Sequence, residues 1–135
     1  MEPSLGAKKT IKPGDEVIVE SDAPDGGRGV VFEDDGRTGY FYARDYSVPD
    51  QLFVDALHIY SLKELADAHI PSELHILWSE DGKKAVLILN RYPHAVFDFT
   101  EKCGYSRDQF PEPDPTSGWR HAEYMDSLRS HFFAP

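Results

Sequence analysis

The sequence is short of cysteine, of basic residues and of long apolar runs, and each shortage excludes a class of protein. Cys103 is the only cysteine, which excludes an intramolecular disulfide and a zinc site built from several thiolates. Lys and Arg number 14 against 24 Asp and Glu, a formal charge of −10, and a surface of this sign repels nucleic acid and anionic membranes. No apolar run approaches the roughly 18 residues of a transmembrane helix, so we expect neither a nucleic-acid-binding protein nor a membrane protein.

The N-terminal segment also lacks the apolar stretch of a secretory signal. This absence predicts a cytoplasmic location. The acidic balance is compatible with plain solubility, and it also favours a basic protein as a partner.

Motifs of common metal and catalytic sites are missing as well. The six histidines show no HxH or HExxH spacing, and neither a phosphate-binding glycine loop nor a GxSxG motif occurs. The acidic residues 33–35 precede Gly36, but they lack the alternating ligands of a calcium loop and predict a solvated hairpin turn. We therefore predict no metal, no cofactor and no catalytic residue that a motif identifies.

Apolar and aromatic residues are present in sufficient number for one core. They make up 40% and 13% of the 135 residues, and this length is typical of a single domain. Residues 1–15 contain Pro and Gly with few apolar side chains, which predicts a flexible leader. We expect residues 16–135 to form one domain.

The most informative stretch is 74–99, where three apolar runs are separated only by residues 79–83 and 90–93. Runs this short with such tight connections predict an antiparallel meander. Further strands are predicted at 17–20, 28–33 and 38–44, and residues 54–60 fit a strand better than a helix. One or two helical turns are predicted over 62–68, because Ser61 and Glu64 have the capping-box spacing.

The C-terminal region carries a helical periodicity. Apolar residues recur at spacings of three and four, which predicts a helix from about 117 to 131 with one apolar stripe; they are Trp119, Ala122, Met125, Leu128 and Phe132. The predicted fold is therefore α+β, with a mostly antiparallel sheet of six or seven strands and the C-terminal helix packed on one face.

His94 and Asp98 are the best-placed polar pair. In a regular strand over 93–99 they share one face, but their Cα atoms are then about 13 Å apart, too far for a direct hydrogen bond. They form no catalytic dyad, although they could flank one pocket if that face is covered. The simpler alternative is a solvated pair on the polar face of a half-buried sheet.

Arg107 and Tyr42 complete the candidate site. Arg107 follows the last strand of the meander, and its guanidinium has the fork that pairs with a carboxylate of a ligand or partner. Alternatively, Arg107 anchors its own loop by binding a backbone carbonyl or Asp98. Tyr42, on an aromatic strand, is a further candidate for the lining of the same pocket.

Several segments resemble an uncharacterised bacterial family, domain of unknown function 2251. They are FEDDGRTGYFYARD at 32–45, DALHIY at 55–60, LWSEDGKKAVLILN at 77–90, PHAVFDF at 93–99 and GYSRDQFP at 104–111. These segments are strand and turn patterns. The resemblance therefore implies a bacterial source and a set of fold boundaries, and it implies no activity.

Three functional hypotheses follow. The first is a non-catalytic protein-binding module with a basic partner, and its sharpest form is an immunity or antitoxin role against a basic toxin. The alternative is a small-ligand enzyme or sensor with a pocket on the polar face of the sheet, lined by His94, Asp98, Arg107 and Tyr42. The third is a homodimer joined through an edge strand or an aromatic sheet face.

Overall fold

The computed structural model describes residues 4–48, 50–65 and 70–124. Within these ranges the chain forms ten strands and one short 3-10 turn at Leu62–Glu64. The strands are β1 (Ser4–Ile11), β2 (Val17–Asp22), β3 (Arg28–Asp34), β4 (Thr38–Asp45), β5 (Asp55–Ser61), β6 (Ser72–Trp78), β7 (Lys84–Leu89), β8 (Tyr92–Asp98), β9 (Cys103–Ser106) and β10 (Arg120–Glu123).

The strands form two sheets rather than one. The larger has six strands in the order β1-β6-β7-β8-β9-β10, and the smaller has four in the order β2-β3-β4-β5. Neighbouring strands are antiparallel except for β9 and β10, which are parallel. The prediction of an α+β fold with a single sheet was therefore wrong, because the described chain is almost entirely β structure.

The start of the predicted C-terminal helix is a strand. Trp119 is buried, its ring packing edge-on against Phe97 and Phe99, and the next four residues pair with β9. Backbone hydrogen bonds at both ends, from Arg120 to Lys102 and from Tyr124 to Ser106, hold this pairing. An extended chain thus buries Trp119 and satisfies the edge of the sheet, which a helix there would not do. Residues 125–131 of the predicted helix lie outside the described residues.

The strand predictions made from local pattern were confirmed. The meander is β6-β7-β8, paired in antiparallel register, and residues 55–60 of the strand predicted at 54–60 fall on β5. The segment predicted as a leader contains β1, which pairs with β6 along its whole length. Most of its residues are exposed, so β1 is held by backbone hydrogen bonds more than by apolar burial. Of the helical turns predicted over 62–68, the structure has the 3-10 turn at Leu62–Glu64, and 66–68 lie outside the described residues.

The core lies between the two sheets, as expected for a β-sandwich. Phe41 of β4 stacks on Phe97 of β8 across the interface, with ring centroids 5.0 Å apart. The largest fully buried apolar side chains of this core come from both sheets: Trp78, Phe32, Phe41, Phe97, Leu57, Leu74, Ile76, Leu87 and Val30. Val86 and Val96 are also fully buried, but they pack with Tyr124 in a separate cluster.

Two buried polar contacts fix the edges of the sandwich. The indole of Trp78 donates to Ser21 Oγ at 2.9 Å and so joins β6 to β2. Tyr60 donates its hydroxyl to Asp34 at 2.6 Å, and the same carboxylate accepts from the backbone amides of Gly14 and Gly36. Burial and the contact with Asp34 raise the pKa of Tyr60, so its hydroxyl stays protonated and donates.

Removing the hydroxyl of Tyr60 tests this contact. We expect Tyr60→Phe to lower the free energy of unfolding by about 1–3 kcal/mol, because Asp34 then stays buried with one donor fewer. Urea unfolding measures the loss. The matched control is Tyr46→Phe, which removes the same group from an exposed contact with Asp22 and should change stability by less than about 0.5 kcal/mol. Equal effects of the two substitutions would contradict the assignment.

Candidate functional site

A cavity of about 520 Å³ lies between strand ends of the two sheets. Five apolar residues form much of its wall, and six polar or aromatic residues complete it. The apolar ones are Ile11, Pro13, Ile59, Leu65 and Leu89, and the others are Tyr60, Ser72, Asn90, Tyr92, His94 and Arg107. Two of the four residues predicted from the sequence, His94 and Arg107, therefore line one cavity.

A β-bulge brings His94 to this cavity. Leu87 pairs with Ala95 while its neighbour Ile88 pairs with Pro93, which leaves His94 as the extra residue of β8. A bulge breaks the alternation of side chains and can redirect one of them. Burial, and then the nearby positive charge of Arg107, lower the pKa of His94, so its imidazole is neutral at pH 7.

Arg107 lies beside the ring of Tyr92, on the exposed side of the cavity. Its guanidinium donates to the Tyr92 hydroxyl and lies 4.9 Å from the ring centroid. A phenol is a neutral partner, and in the described part of the chain no carboxylate forms an ion pair with Arg107. The arrangement therefore presents a cation with several donors beside an apolar wall.

Asp98 lies at the other end of β8 and serves a turn. Its carboxylate accepts hydrogen bonds from the backbone amides of Thr100 and Glu101 at 3.0 and 3.1 Å, and the residue is buried. Asp98 is not among the described residues that line the cavity. The structure thus separates His94 from Asp98, since the bulge removes the common face that a regular strand would give them.

Tyr42 lies outside the core, on the outer face of the four-stranded sheet. There it belongs to a continuous row of rings, which we call the aromatic ladder: Phe110, His58, Tyr40, Tyr42 and Phe53. Neighbouring centroids are 6.1, 5.5, 5.9 and 4.3 Å apart along this row. Arg44 continues it, with its guanidinium 6.0 Å from the ring of Phe53.

The surroundings of the aromatic ladder are apolar and acidic. Ile18 on β2, Leu52 and Phe110 expose 59%, 72% and 55% of their surface. Glu20 binds the guanidinium of Arg44 at 2.7 Å, and Asp22 accepts from the hydroxyl of Tyr46. The face therefore combines large exposed apolar groups with carboxylates.

His58 also connects the aromatic ladder to the chain after β9. Its Nδ1 is 2.7 Å from Asp108 Oδ2, and its Nε2 is 2.8 Å from Ser61 Oγ. Its backbone amide donates to the carbonyl of Phe110 at 2.7 Å. The side-chain contacts follow the order of a Ser-His-Asp triad. However, Asp108 is about half exposed, and the imidazole has Tyr40 and Phe110 against it edge-on, so we interpret these contacts as an anchor for residues 107–111.

Sequence reasoning missed a buried ion pair between His121 and Asp55. The His121 Nε2 is 2.8 Å from both carboxylate oxygens, and its Nδ1 is 2.9 Å from the carbonyl of Gln109. Since a carbonyl and a carboxylate only accept, both ring nitrogens donate and the imidazole is charged. The two side chains expose 4% and 3% of their surface. No spacing could have revealed this pair, because its members are 66 positions apart.

Gly104 makes room for this ion pair. A Cβ atom at that position would lie 2.9 Å from Asp55 Oδ2 and 3.1 Å from the side chain of Leu57. The bare backbone of β9 therefore allows β5 to approach closely.

No group of three or more His, Cys, Asp or Glu side chains in the described ranges is placed to hold a metal ion. Across the same ranges, no helix has the length and apolar character needed to cross a membrane.

The comparisons with known proteins identify the family. The chain belongs to a bacterial family, domain of unknown function 2251, described as "Uncharacterized protein conserved in bacteria", whose sequence profile matches residues 11–133. This confirms the resemblance seen in the strand and turn segments. An "Uncharacterized protein" of Haemophilus influenzae is 47% identical over 94 residues, which cover 70% of this chain and 58% of that relative. No solved structure matches the chain.

The buried ion pair makes stability depend on pH. Burial lowers the pKa of His121, but the hydrogen bonds to Asp55 and to the Gln109 carbonyl raise it by more than burial lowers it. The net shift of this pKa is therefore upward. A group whose pKa is raised by folding stabilises the fold fully below its unfolded pKa of about 6.5, and this contribution is lost as the pH rises through the folded pKa. We expect urea unfolding to give a lower free energy at pH 9 than at pH 6.

Substitution of Asp55 tests the origin of that pH dependence. Asp55→Asn should destabilise the protein by about 3–5 kcal/mol, because it leaves the imidazole buried without its counter-ion. The decrease between pH 6 and pH 9 should disappear with it. His75→Asn, at a half-buried position on β6, is the control and should keep the decrease. A wild-type stability that is constant over this range would refute the role of the pair.

The anchor interpretation of His58 also has a direct test. We expect an alkyl fluorophosphonate, which reacts with activated serines, to leave Ser61 unmodified after prolonged incubation. Intact-mass measurement reports the result, with a serine hydrolase as the positive control. An adduct that disappears in both Ser61→Ala and His58→Asn would show an activated nucleophile instead of an anchor.

Proposed function

We propose that the protein is a non-catalytic protein-binding module that engages a basic partner through the outer face of its four-stranded sheet. The observation that carries this proposal is the aromatic ladder, a row of five rings on a sheet face that the second sheet does not cover. Family membership supports a conserved bacterial protein and names no partner.

The composition of this face is that of a binding surface. Aromatic side chains and arginine dominate the energetics of protein interfaces, because they bury much area for little loss of conformational entropy. Ile18, Leu52 and Phe110 add apolar groups that are exposed in the isolated chain. Large exposed apolar side chains beside a row of rings are typical of a surface that binds a partner.

The charge of the molecule favours a basic partner. The chain carries a formal charge of −10, and Glu20, Asp22 and Asp108 lie around the ladder. Charge complementarity accelerates association and suppresses partners of the wrong sign. An immunity or antitoxin role against a basic toxin is the sharpest form of this proposal, since such a protein inhibits by covering a surface and needs no chemistry of its own.

The test uses a partner captured from the source bacterium and then purified. Phe110→Ser should weaken its binding about tenfold or more, because the substitution removes the most exposed ring of the aromatic ladder, which is 55% exposed at one end of the row. Binding should also weaken as salt is raised. The control is Leu5→Ser, which removes an equally exposed apolar group (58%) from β1 of the other sheet and should not affect affinity.

Two outcomes would contradict this proposal. A captured partner whose affinity is the same for Phe110→Ser and wild type would place its binding surface elsewhere. Light scattering that shows a dimer, converted to a monomer by Phe110→Ser but not by Leu5→Ser, would make the aromatic face a homodimer interface.

A further inference from the structure

The cavity between the strand ends has the size and the wall of a small-molecule site. Its volume of about 520 Å³ falls within the range of about 300–1,000 Å³ that is usual for such sites. Ile59 of the smaller sheet and Leu89 of the larger one both line it, and Ile11, Pro13 and Leu65 complete the apolar part. An apolar ligand body in this half-open cavity would therefore contact both sheets.

The described residues that line the cavity carry charge of one sign, at its exposed side. The described lining contains no aspartate or glutamate, and the imidazole of His94 is neutral. Arg107 is the single ionised side chain of this lining, and it makes no ion pair within the described residues. Its neighbour Asp108 is directed to His58 instead. Within the described residues, an acidic protein thus keeps an exposed cation without an ion-pair partner beside an apolar wall.

From these observations we propose that the cavity binds a small monocarboxylate with an apolar body, and that Arg107 binds its carboxylate. The planar guanidinium fork matches the two oxygens of a carboxylate. The imidazole of His94 provides a further polar group on the same lining, whereas the amide of Asn90 is held by the Glu73 backbone amide and by Ser72. One positive charge beside an apolar wall fits a monoanion better than a dianionic phosphate, which would remain half uncompensated.

This inference does not rest on the proposed protein-binding function. The cavity lies between the sheets, whereas the aromatic ladder covers the outer face of the smaller sheet. Ile18→Ser, on the same outer face as the ladder, should therefore leave ligand affinity unchanged, and failure of one proposal does not imply failure of the other.

The experiment is a titration followed by amide and histidine side-chain NMR signals. The probes are 3-phenylpropionate and isovalerate, with phenyl phosphate and the neutral 3-phenylpropionamide as comparisons. We expect at least one carboxylate to bind, with the largest shifts at His94, Asn90 and residues around Arg107. The amide of the same shape should bind about tenfold more weakly or worse, because it lacks the charge that Arg107 recognises.

Variants of arginine provide the matched controls. Arg107→Gln should weaken carboxylate binding about tenfold or more, and Arg107→Lys, which keeps the charge without the fork, should have an intermediate effect. Arg120→Gln removes an exposed arginine on β10 and should change nothing. Melting curves that match wild type show that each variant is folded. If Arg107→Gln does not fold, Arg107→Lys takes its place in the binding test.

Three results would overturn the proposal. They are the absence of shifts with both carboxylates, equal affinity for 3-phenylpropionate and its amide, or tighter binding of phenyl phosphate than of either carboxylate. The last would show that the cavity selects a phosphate group.

Discussion

The ion pair between His121 and Asp55 is the contact on which the rest of this end of the molecule depends. It joins β10, at one edge of the larger sheet, to β5, at one edge of the smaller sheet. Either charge alone would carry a large desolvation penalty at this buried site. The pair is stable because each nitrogen of the imidazole donates to an acceptor. The absence of a side chain at Gly104 lets the two edges meet. The sandwich is thus closed here by electrostatics and a narrow backbone as well as by apolar packing.

Both candidate surfaces inherit their positions from this closure. His121 donates a hydrogen bond to the carbonyl of Gln109, which lies in the segment 107–111. The side chains of this segment contribute to both candidate surfaces. Arg107 lies on the cavity with Tyr92, whereas Asp108 and Phe110 contact His58 on the aromatic ladder. One irregular segment therefore supplies the cation of the cavity and the terminal ring of the ladder. Loss of the ion pair would affect both through the same five residues.

The sequence predicted those parts of the fold that depend on neighbouring residues. Alternation and tight turns in 74–99 were sufficient for the meander, because each strand pairs with the next along the chain. The second sheet, the parallel pairing of β10 with β9 and the ion pair join residues far apart, and no local pattern encodes them. The spacing of apolar residues after Trp119 predicted a helix where β10 is found, for a related reason. Trp119 is buried by packing on Phe97 and Phe99, and such a contact can be made from an extended chain as well as from a helix.

The candidate site shows the same division. His94 and Arg107 could be selected from their residue types and their places near strand ends, and they line one cavity. Their separation from Asp98 depends on a bulge, and a bulge is set by the register between β7 and β8 rather than by the sequence of β8 alone. The aromatic ladder combines Tyr40 and Tyr42, which alternate visibly on β4, with Phe53, His58 and Phe110, which only the tertiary structure brings alongside them.

The hydrogen bond from the His58 amide to the Phe110 carbonyl has a consequence for self-assembly. The outer edge of a sheet is a template on which another chain can add a strand, and repeated addition leads to aggregation. On β5 that template is already interrupted, because a carbonyl of the protein's own loop occupies one of the edge amides and the ring of Phe110 lies over the adjacent imidazole. The segment 107–111, which contributes to both candidate surfaces, therefore also blocks this edge of the sheet. A second copy of the protein cannot add a strand to β5 at that position.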